Sequence, residues 1–298
     1  MLSVVVAAHA RAERLRALLA ALAPQECEVI VVADGATAGV HAVLADAAAR
    51  VLRLDPGRGP AAARNVGWRA ADTELVAFTD DDCLPAPDWV AALLAAAGDG
   101  AAVQGRVEPL PAERDRLGPF ARTLAVDGAG PFFQTANMLY PRAVLERLGG
   151  FDEVFPAPAG EDTDLGWRAR EAGVEIRYAP GALVWHAVHE PGWRGLVRDA
   201  PRWGSAVHLV RKHPGIRAHF HHRFFWKPAH ERLLLAALGL AVSRRAGWLA
   251  ALPWLAVHRA EHASAGDLAR SLPAHLAVDA AEVAALARGS LRARALLL

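Results

Sequence analysis

The chain has 298 residues, of which 53% are hydrophobic and 22% charged, so it can bury a sizeable core and is not a disordered protein. Its 33 basic and 32 acidic residues leave a formal net charge of +1, less basic than a general nucleic-acid binder. Two cysteines, Cys27 and Cys83, are too few for a disulfide framework and suit a reducing compartment. The mean hydropathy of +0.16 is high for a freely soluble protein. The question is therefore which segments contain the additional apolar residues.

The first half of the chain alternates short apolar runs with segments of helical periodicity. The predicted strands are 2–7, 28–33, 51–54, 75–79 and 101–107, and the predicted helices are 11–23, 41–50, 61–71 and 88–97. This alternation predicts an α/β fold with a Rossmann-like, mostly parallel sheet flanked by helices. Ligands of such sheets bind at the carboxyl ends of the strands, which is where Asp34 and the run Asp80–Asp82 fall.

The first ten residues are apolar and end in Ala-His-Ala, which superficially resembles the cleavage site of a signal peptide. They lack a basic region, and their apolar run is short. We therefore predict a buried strand and a chain that starts in the cytoplasm. No uninterrupted apolar run of 18 residues occurs, so the sequence predicts no transmembrane helix.

Three successive carboxylates, Asp80–Asp82, follow directly on a hydrophobic strand. Such close carboxylates repel one another unless a cation lies among them. Mg²⁺ and Mn²⁺ prefer carboxylate oxygens and often bridge to substrate phosphates. A solvated acidic turn is the alternative, but the strand leading into the cluster favours a metal site.

A second acidic cluster contains Glu161, Asp162 and Asp164. Taken alone, it is typical of a helix N-terminus, where acidic residues are favoured. That alternative does not explain the Gly-Gly-Phe-Asp-Glu segment at 149–153 before the cluster. Nor does it explain the strand-like segments 175–178 and 182–186 after it.

A series of short motifs runs through residues 2–190. They are Ser3–Val6 with a helix from Arg11, Val31–Gly35, Gly59–Gly67, Phe78–Asp82, Asn137 with Gly149–Glu153, Gly160–Asp162, and Val184–His186. Each motif is weak alone, but in this order and spacing they resemble the motifs of family 2 glycosyltransferases of the GT-A fold.

The resemblance implies inverting transfer of a sugar from a nucleotide-diphosphate sugar to an acceptor hydroxyl. It also implies a divalent metal, Mn²⁺ or Mg²⁺, which would neutralise charge on the leaving diphosphate. Asp80 and Asp82 match the DxD carboxylates, and His186 matches a further metal ligand. Asp162 matches the general base, with Glu161 as the second candidate.

Further residues match positions near the donor. Asp34 would accept hydrogen bonds from the uracil or ribose region, Arg64 would contact the diphosphate, and Asp81 would join Asp80 in donor binding. A turn-forming Asp-Gly pair is the alternative for Asp34. An ordinary strand-end histidine is the alternative for His186.

Two segments depart from the family pattern. Residues 7–10 read Ala-Ala-His-Ala where the family has Pro-Thr-Tyr-Asn, and residues 33–36 read Ala-Asp-Gly-Ala where it has Asp-Asp-Gly-Ser. Both departures remove polar groups near the expected base pocket, so the sequence does not identify the nucleotide. Two other functions stay open: a sugar nucleotidyltransferase, and a catalytically degenerate GT-A scaffold at a membrane.

The last third has a different composition. Residues 190–232 hold nine basic and three acidic residues with interleaved aromatics, and the apolar segments 233–242 and 246–257 follow. These segments are too short to span a bilayer. We predict a catalytic domain at 1–190, a basic and aromatic connector at 191–231, and a helical extension at 232–298.

This composition favours association with an anionic membrane surface over a purely internal core. It predicts a peripheral protein on the inner face of the cell membrane that acts on a glycan or lipid-linked acceptor in cell-envelope, polysaccharide or glycolipid synthesis. No nucleic-acid partner is expected. The histidines between 213 and 230 fit no standard zinc spacing.

Overall fold

The computed structural model describes residues 1–98, 100–155, 159–243 and 245–298. The chain divides into two compact units. The first unit comprises Met1–Asp115 with Thr123–Val188, and the second comprises Arg116–Arg122 with His189–Leu298. The three-part division into 1–190, 191–231 and 232–298 stays a prediction.

Within the described residues of the first unit, eight strands form one sheet. They are β1 (Leu2–Ala8), β2 (Glu28–Asp34), β3 (Arg50–Leu54), β4 (Leu75–Asp80), β5 (Cys83–Pro85), β6 (Ala102–Pro109), β7 (Met138–Pro141) and β8 (Ile176–His186). Their order is β3-β2-β1-β4-β7-β6-β8-β5. The β1–β2, β1–β4, β2–β3 and β6–β8 pairs are parallel, and the β4–β7, β6–β7 and β5–β8 pairs are antiparallel.

Helices connect these strands. They are α1 (Ala12–Leu22), α2 (Ala38–Ala45), α3 (Pro60–Ala70), α4 (Trp89–Ala97), α5 (Arg142–Leu148) and α6 (Glu161–Glu171). α1 buries Leu15, Leu18 and Leu22, the face that its periodicity predicts. α3 starts with a proline, whose fixed φ and missing N–H suit a first helical turn. The predicted α/β fold, with a helix-flanked sheet and a helical C-terminal region, is confirmed.

Three local predictions differ from the structure. The predicted helix at 41–50 is wrong at both ends, because α2 covers Ala38–Ala45 and Arg50 already pairs with Ile30 in the β3–β2 ladder. The segments 175–178 and 182–186 form one strand, since a bulge opposite Gly105/Arg106 absorbs the Pro-Gly pair at 180–181. The short strands β5 and β7 were not predicted, because so few residues carry no clear period.

The second unit is helical in its described residues. Its α-helices are α7 (Gly192–Asp199), α8 (Ala206–Lys212), α9 (Pro228–Val242), α10 (Leu252–Arg259) and α11 (Ala265–Ala293). The predicted apolar segments 233–242 and 246–257 lie in α9 and in the short 3₁₀ turn plus α10 that follow it.

None of the helices in the described ranges combines the length and the apolar character that a membrane span requires.

Candidate active site

The sheet brings several strand ends to one edge. β1 and β4 run parallel with Ala7 opposite Asp80, and β1 and β2 run parallel up to the pair Ala8 and Ala33. β5 begins immediately after Asp80–Asp82 and pairs antiparallel with β8, so that Cys83 lies opposite His186. The topology therefore gathers residues that lie more than a hundred positions apart in the sequence.

Asp80, Asp82, Cys83 and His186 each offer one ligand atom, and these four atoms all lie within 4.8 Å of one another. The Nε2 atom of His186 is 3.7 Å from Oδ1 of Asp82. Its Nδ1 atom is 2.8 Å from the carbonyl oxygen of Ala187. The carbonyl can only accept, so Nδ1 donates to it and Nε2 faces Asp82.

The chemistry of this donor set fits a divalent cation. Burial, with Asp80 and Asp82 nearby, raises the pKa of the Cys83 thiol well above its usual value, so the thiol stays neutral. The remaining ligands are two carboxylates and an imidazole, and the carboxylate oxygens suit Mn²⁺ or Mg²⁺. The structure thus brings together the three predicted metal ligands, whose role stays a prediction.

Asp81 is held by an arginine that sequence reasoning missed. Nη1 of Arg11 is 2.6 Å from Oδ1 of Asp81 and 3.4 Å from Oδ2 of Asp82. The backbone N–H of His9 also donates to Asp81, over 3.4 Å. Burial raises the pKa of Asp81, and the positive charge of Arg11 opposes that effect. The only signal was its place between β1 and α1, three residues after the strand ends, and an arginine at the start of a helix carries no distinctive pattern.

Arg64 connects the two acidic clusters. It is 5% exposed, and its Nη2 donates to Oδ1 of Asp80 over 2.9 Å while its Nη1 donates to Oε1 of Glu161 over 2.8 Å. Burial alone would lower the pKa of Arg64, but the two carboxylates raise it above the usual value. The guanidinium therefore remains charged and joins the end of β4 to the start of α6.

The two carboxylates at the start of α6 have different surroundings. Glu161 is buried, and its Oε2 accepts the backbone N–H of Ala159 over 3.1 Å while Oε1 bonds Arg64. Asp162 is half-buried and accepts the N–H of Thr163 over 2.7 Å. Burial and the neighbouring Glu161 raise the pKa of Asp162 to about 7, against the opposing charge of Arg64. Asp162 is therefore the better suited of the two to exchange a proton near neutral pH.

Asp34 holds a loop. Its two carboxylate oxygens accept the backbone N–H groups of Arg58 and Gly59 over 2.6 and 2.8 Å. Gly59 has a φ of 89° and immediately precedes α3, the helix that carries Arg64. The predicted nucleoside contact of Asp34 stays a prediction, and the observed bonds fit the loop-stabilising alternative.

Two asparagines hold backbone segments. Oδ1 of Asn65 accepts from the N–H of Phe151 and from Nε1 of Trp68, each over 2.9 Å, and its Nδ2 donates to the carbonyl of Phe151. Asn137, which the resemblance puts in the acceptor-side segment, is fully buried, and its Nδ2 donates to the carbonyls of Arg106 and Ala182. Both side chains therefore stabilise the fold.

Comparison of the sequence with known proteins identifies the family of the chain. The family model described as glycosyl transferase family 2 matches residues 3–149. The pre-mycofactocin glycosyltransferase of Mycobacterium tuberculosis is 34% identical over 230 residues, which cover 71% of this chain and 48% of that protein. The validoxylamine A glucosyltransferase of Streptomyces hygroscopicus subsp. jinggangensis is 31% identical over 266 residues, covering 72% of this chain and 62% of that protein. The chain thus spans about half to three fifths of these relatives' length.

Solved structures share the fold. A mannosyltransferase from Pyrobaculum calidifontis, in complex with GDP-Man and Mn²⁺, aligns with a TM-score of 0.59 at 22% identity, covering 97% of this chain and 86% of that one. S. aureus TarS 1–349 in complex with UDP aligns with a TM-score of 0.52 at 17% identity, covering 98% and 91%. These likenesses show the fold. The match over residues 3–149 and the relative that is 34% identical confirm the family expected from the motifs: the chain belongs to glycosyl transferase family 2.

Proposed function

We propose that the chain is a metal-dependent, inverting glycosyltransferase that moves a sugar from a nucleotide-diphosphate sugar to an acceptor hydroxyl. One observation carries the proposal: a single buried arginine, Arg64, bonds both Asp80 of the first acidic cluster and Glu161 of the second. This contact brings a candidate metal group and a candidate base into one site. The relatives named as glycosyltransferases support the same reaction class.

Asp80, Asp82 and His186 are the residues that would hold the cation. Bound there, it would supply charge neutralisation for the departing diphosphate. The structurally similar mannosyltransferase, solved with GDP-Man and Mn²⁺, supports this choice of ligand and metal. Arg64 adds a fixed positive charge beside Asp80, in line with its predicted contact to the diphosphate.

Asp162 takes the proton of the acceptor hydroxyl as that oxygen attacks the anomeric carbon. The new glycosidic bond forms while the bond from the anomeric carbon to the phosphate oxygen breaks, and the nucleoside diphosphate leaves with the electron pair. One displacement inverts the configuration, so the enzyme needs no covalent intermediate. Glu161 acts through Asp162 and Arg64 as a positioning residue.

Calorimetric titration with Mn²⁺ and a panel of nucleoside diphosphates tests the site. We expect Asp82→Asn to weaken Mn²⁺-dependent nucleotide binding by more than about tenfold, since even outer-shell partners of a metal contribute that much. Asp88→Asn is the matched control, because Asp88 is exposed and makes no side-chain cap at the start of α4. If no nucleoside diphosphate binds with or without Mn²⁺, the proposal is wrong.

The products of donor turnover distinguish the alternatives. Release of a free nucleoside diphosphate supports glycosyl transfer, whereas release of pyrophosphate supports a sugar nucleotidyltransferase. Nucleotide binding without any turnover, across a panel of donors and acceptors, would favour the non-catalytic scaffold.

We also propose that the second unit associates peripherally with an anionic membrane surface. Large apolar side chains are exposed in α9 and after it, including Leu238 at 60%, Val242 at 79% and Trp248 at 55%. Exposed Arg194 and Arg211 lie in the same unit. Apolar side chains with nearby basic residues suit a membrane interface. A lipid-linked or cell-envelope glycan at the cytoplasmic face is the acceptor class that this surface favours.

Co-sedimentation with vesicles tests this association. We expect the wild type to pellet with vesicles containing phosphatidylglycerol, and Leu238→Glu with Trp248→Glu to shift most of the protein to the supernatant. Leu117→Glu is the control, since Leu117 is 46% exposed and lies outside the apolar segments. Equal pelleting of all three proteins, or no pelleting of the wild type, would contradict the proposal.

A further inference from the structure

The second unit contains a cavity of about 260 Å³ between α11 and the residues at the start of α8. Arg288 and Arg292 line it from α11, and Ser205 and His208 line it from the facing segment. Pockets that enclose a whole small molecule typically measure about 300–1,000 Å³. The cavity therefore suits one compact chemical group rather than a nucleotide or a sugar chain.

Two glycines allow the walls of the cavity to meet at one end. A Cβ atom at Gly289 would lie 2.4 Å from the carbonyl oxygen of Gly204, and a Cβ atom at Gly204 would lie 3.1 Å from the carbonyl oxygen of Ala285. A side chain at Gly289 would push α11 away from the 3₁₀ segment that ends at Ser205. This close approach places Ser205 next to α11, so the packing of the unit itself builds the cavity.

The charges that line the cavity are all basic. Arg288 and Arg292 are four residues apart, so their side chains share one face of α11, a spacing at which like charges destabilise a helix. None of the described residues that line the cavity is acidic. Within the described ranges, neither arginine forms an ion pair with a carboxylate. An anion between the two guanidinium groups would remove their repulsion.

The hydrogen-bond donors around the cavity match a phosphate group. An arginine donates two parallel hydrogen bonds that fit a pair of phosphate oxygens. Ser205 is half-buried, and its hydroxyl can donate to a third oxygen. A phosphate monoester offers three acceptor oxygens and a charge of about −1.5 to −2 at neutral pH, whereas a carboxylate offers two oxygens and a single charge. Two arginines and a hydroxyl therefore favour phosphate over a carboxylate.

We propose that Ser205, Arg288 and Arg292 bind one phosphate group, either inorganic phosphate or the head group of a phospholipid. The bound group joins α11 to the start of α8 and stabilises the second unit. Binding here needs neither the sugar donor nor the cation of the proposed reaction, so it can be measured without turnover.

Calorimetric titration of the full chain with inorganic phosphate, in a chelator and at constant ionic strength, tests the site. We expect the wild type to bind phosphate saturably and to gain Tm as phosphate is added, because a ligand of the folded state stabilises it. Arg288→Gln and Arg292→Gln should each weaken binding by about tenfold or more, since each removes charge-assisted hydrogen bonds. Both arginines are exposed, so neither change threatens the fold.

Two controls separate this cavity from other basic groups. Arg270→Gln removes an arginine of the same helix that is 78% exposed and lies outside the cavity. Arg11→Gln removes a cation of the candidate active site. Both variants should bind phosphate as the wild type does. The proposal is overturned if the wild type binds no phosphate, if Arg288→Gln and Arg292→Gln bind it as tightly as the wild type, or if either control loses binding.

Vesicles distinguish the two sources of the phosphate. Phosphatidylcholine vesicles are compared with and without phosphatidic acid. If Arg288→Gln also loses binding to the vesicles with phosphatidic acid, the natural ligand is a lipid head group; if it loses only inorganic phosphate, the ligand is a soluble phosphate. Leu238→Glu with Trp248→Glu should keep the affinity for inorganic phosphate, so a failure of the proposed membrane association is distinguishable from a failure of this site.

Discussion

Asp162→Asn is expected to lower kcat for sugar transfer by about 10²- to 10⁴-fold, the range that a positioned general base contributes. Asparagine keeps the size of the side chain but cannot take the proton of the acceptor hydroxyl. The measurement is the steady-state rate at saturating donor and Mn²⁺, with nucleotide affinity determined separately. We expect Mn²⁺-dependent nucleotide binding to be nearly unchanged, because Asp162 is not among the candidate metal ligands.

Glu171→Gln is the matched control, since Glu171 is an exposed carboxylate at the other end of the same helix. It should transfer sugar at the wild-type rate. If Asp162→Asn transfers sugar within a few-fold of the wild type, Asp162 is not the base.

The pH profile gives an independent test of the same role. The pKa of Asp162 is raised to about 7, so below that pH the carboxyl is protonated and unable to accept a proton. The wild-type rate should therefore fall tenfold per pH unit on the acidic side, with a midpoint at or somewhat below pH 7, because a bound cation stabilises the carboxylate. The residual rate of Asp162→Asn should lack this acidic limb. If the rate of Asp162→Asn still falls at acidic pH, the group that titrates there is not Asp162.

Arg64→Met is expected to lower the free energy of unfolding by about 3–5 kcal/mol, the usual effect of removing one partner from a buried ion pair. The side chains of Arg64 and Glu161 are 6% and 4% exposed, so the variant leaves Glu161 buried without its counter-charge. Urea denaturation followed by circular dichroism measures the change. Arg69→Met is the control, because Arg69 is exposed on the same helix, and it should change stability by less than about 0.5 kcal/mol.

A double variant separates lost charge pairing from lost packing. Arg64→Met combined with Glu161→Gln removes the unpaired carboxylate as well, so it should be more stable than Arg64→Met alone. Wild-type stability in Arg64→Met, or additive losses in the double variant, would contradict this electrostatic role of Arg64.

Much of the candidate site could be predicted because the strand ends mark it. A buried strand that runs directly into Asp80–Asp82 is visible in the sequence, and parallel strands must present their carboxyl ends at a common edge. His186 was identified only through the resemblance to a family. The antiparallel pairing of β5 with β8 that brings it to Asp82 depends on a three-residue strand, too short to have a recognisable period.

The contacts of Arg64 and Arg11 could not be predicted for a different reason. Arg64 and Glu161 are 97 positions apart, and Arg11 and Asp81 are 70 positions apart. An arginine on a predicted helix looks the same whether it is solvated or buried, so only the packing of α1 and α3 reveals which carboxylates they meet. The rings of His258 and His275 are stacked with centroids 4.0 Å apart, a contact between α10 and α11 that the sequence does not reveal.

The fold class, the family and the carboxylates that end the strands can be inferred from the sequence alone, because hydrophobic periodicity and motif order are local properties of the chain. The pairing of charges, the different exposure of Glu161 and Asp162, and the meeting of histidines from separate helices are visible only in the folded chain. Those outcomes depend on burial and on distances between segments remote in sequence. Burial raises the pKa of Asp162 and keeps Glu161 bound to Arg64, which gives two adjacent carboxylates different chemistry.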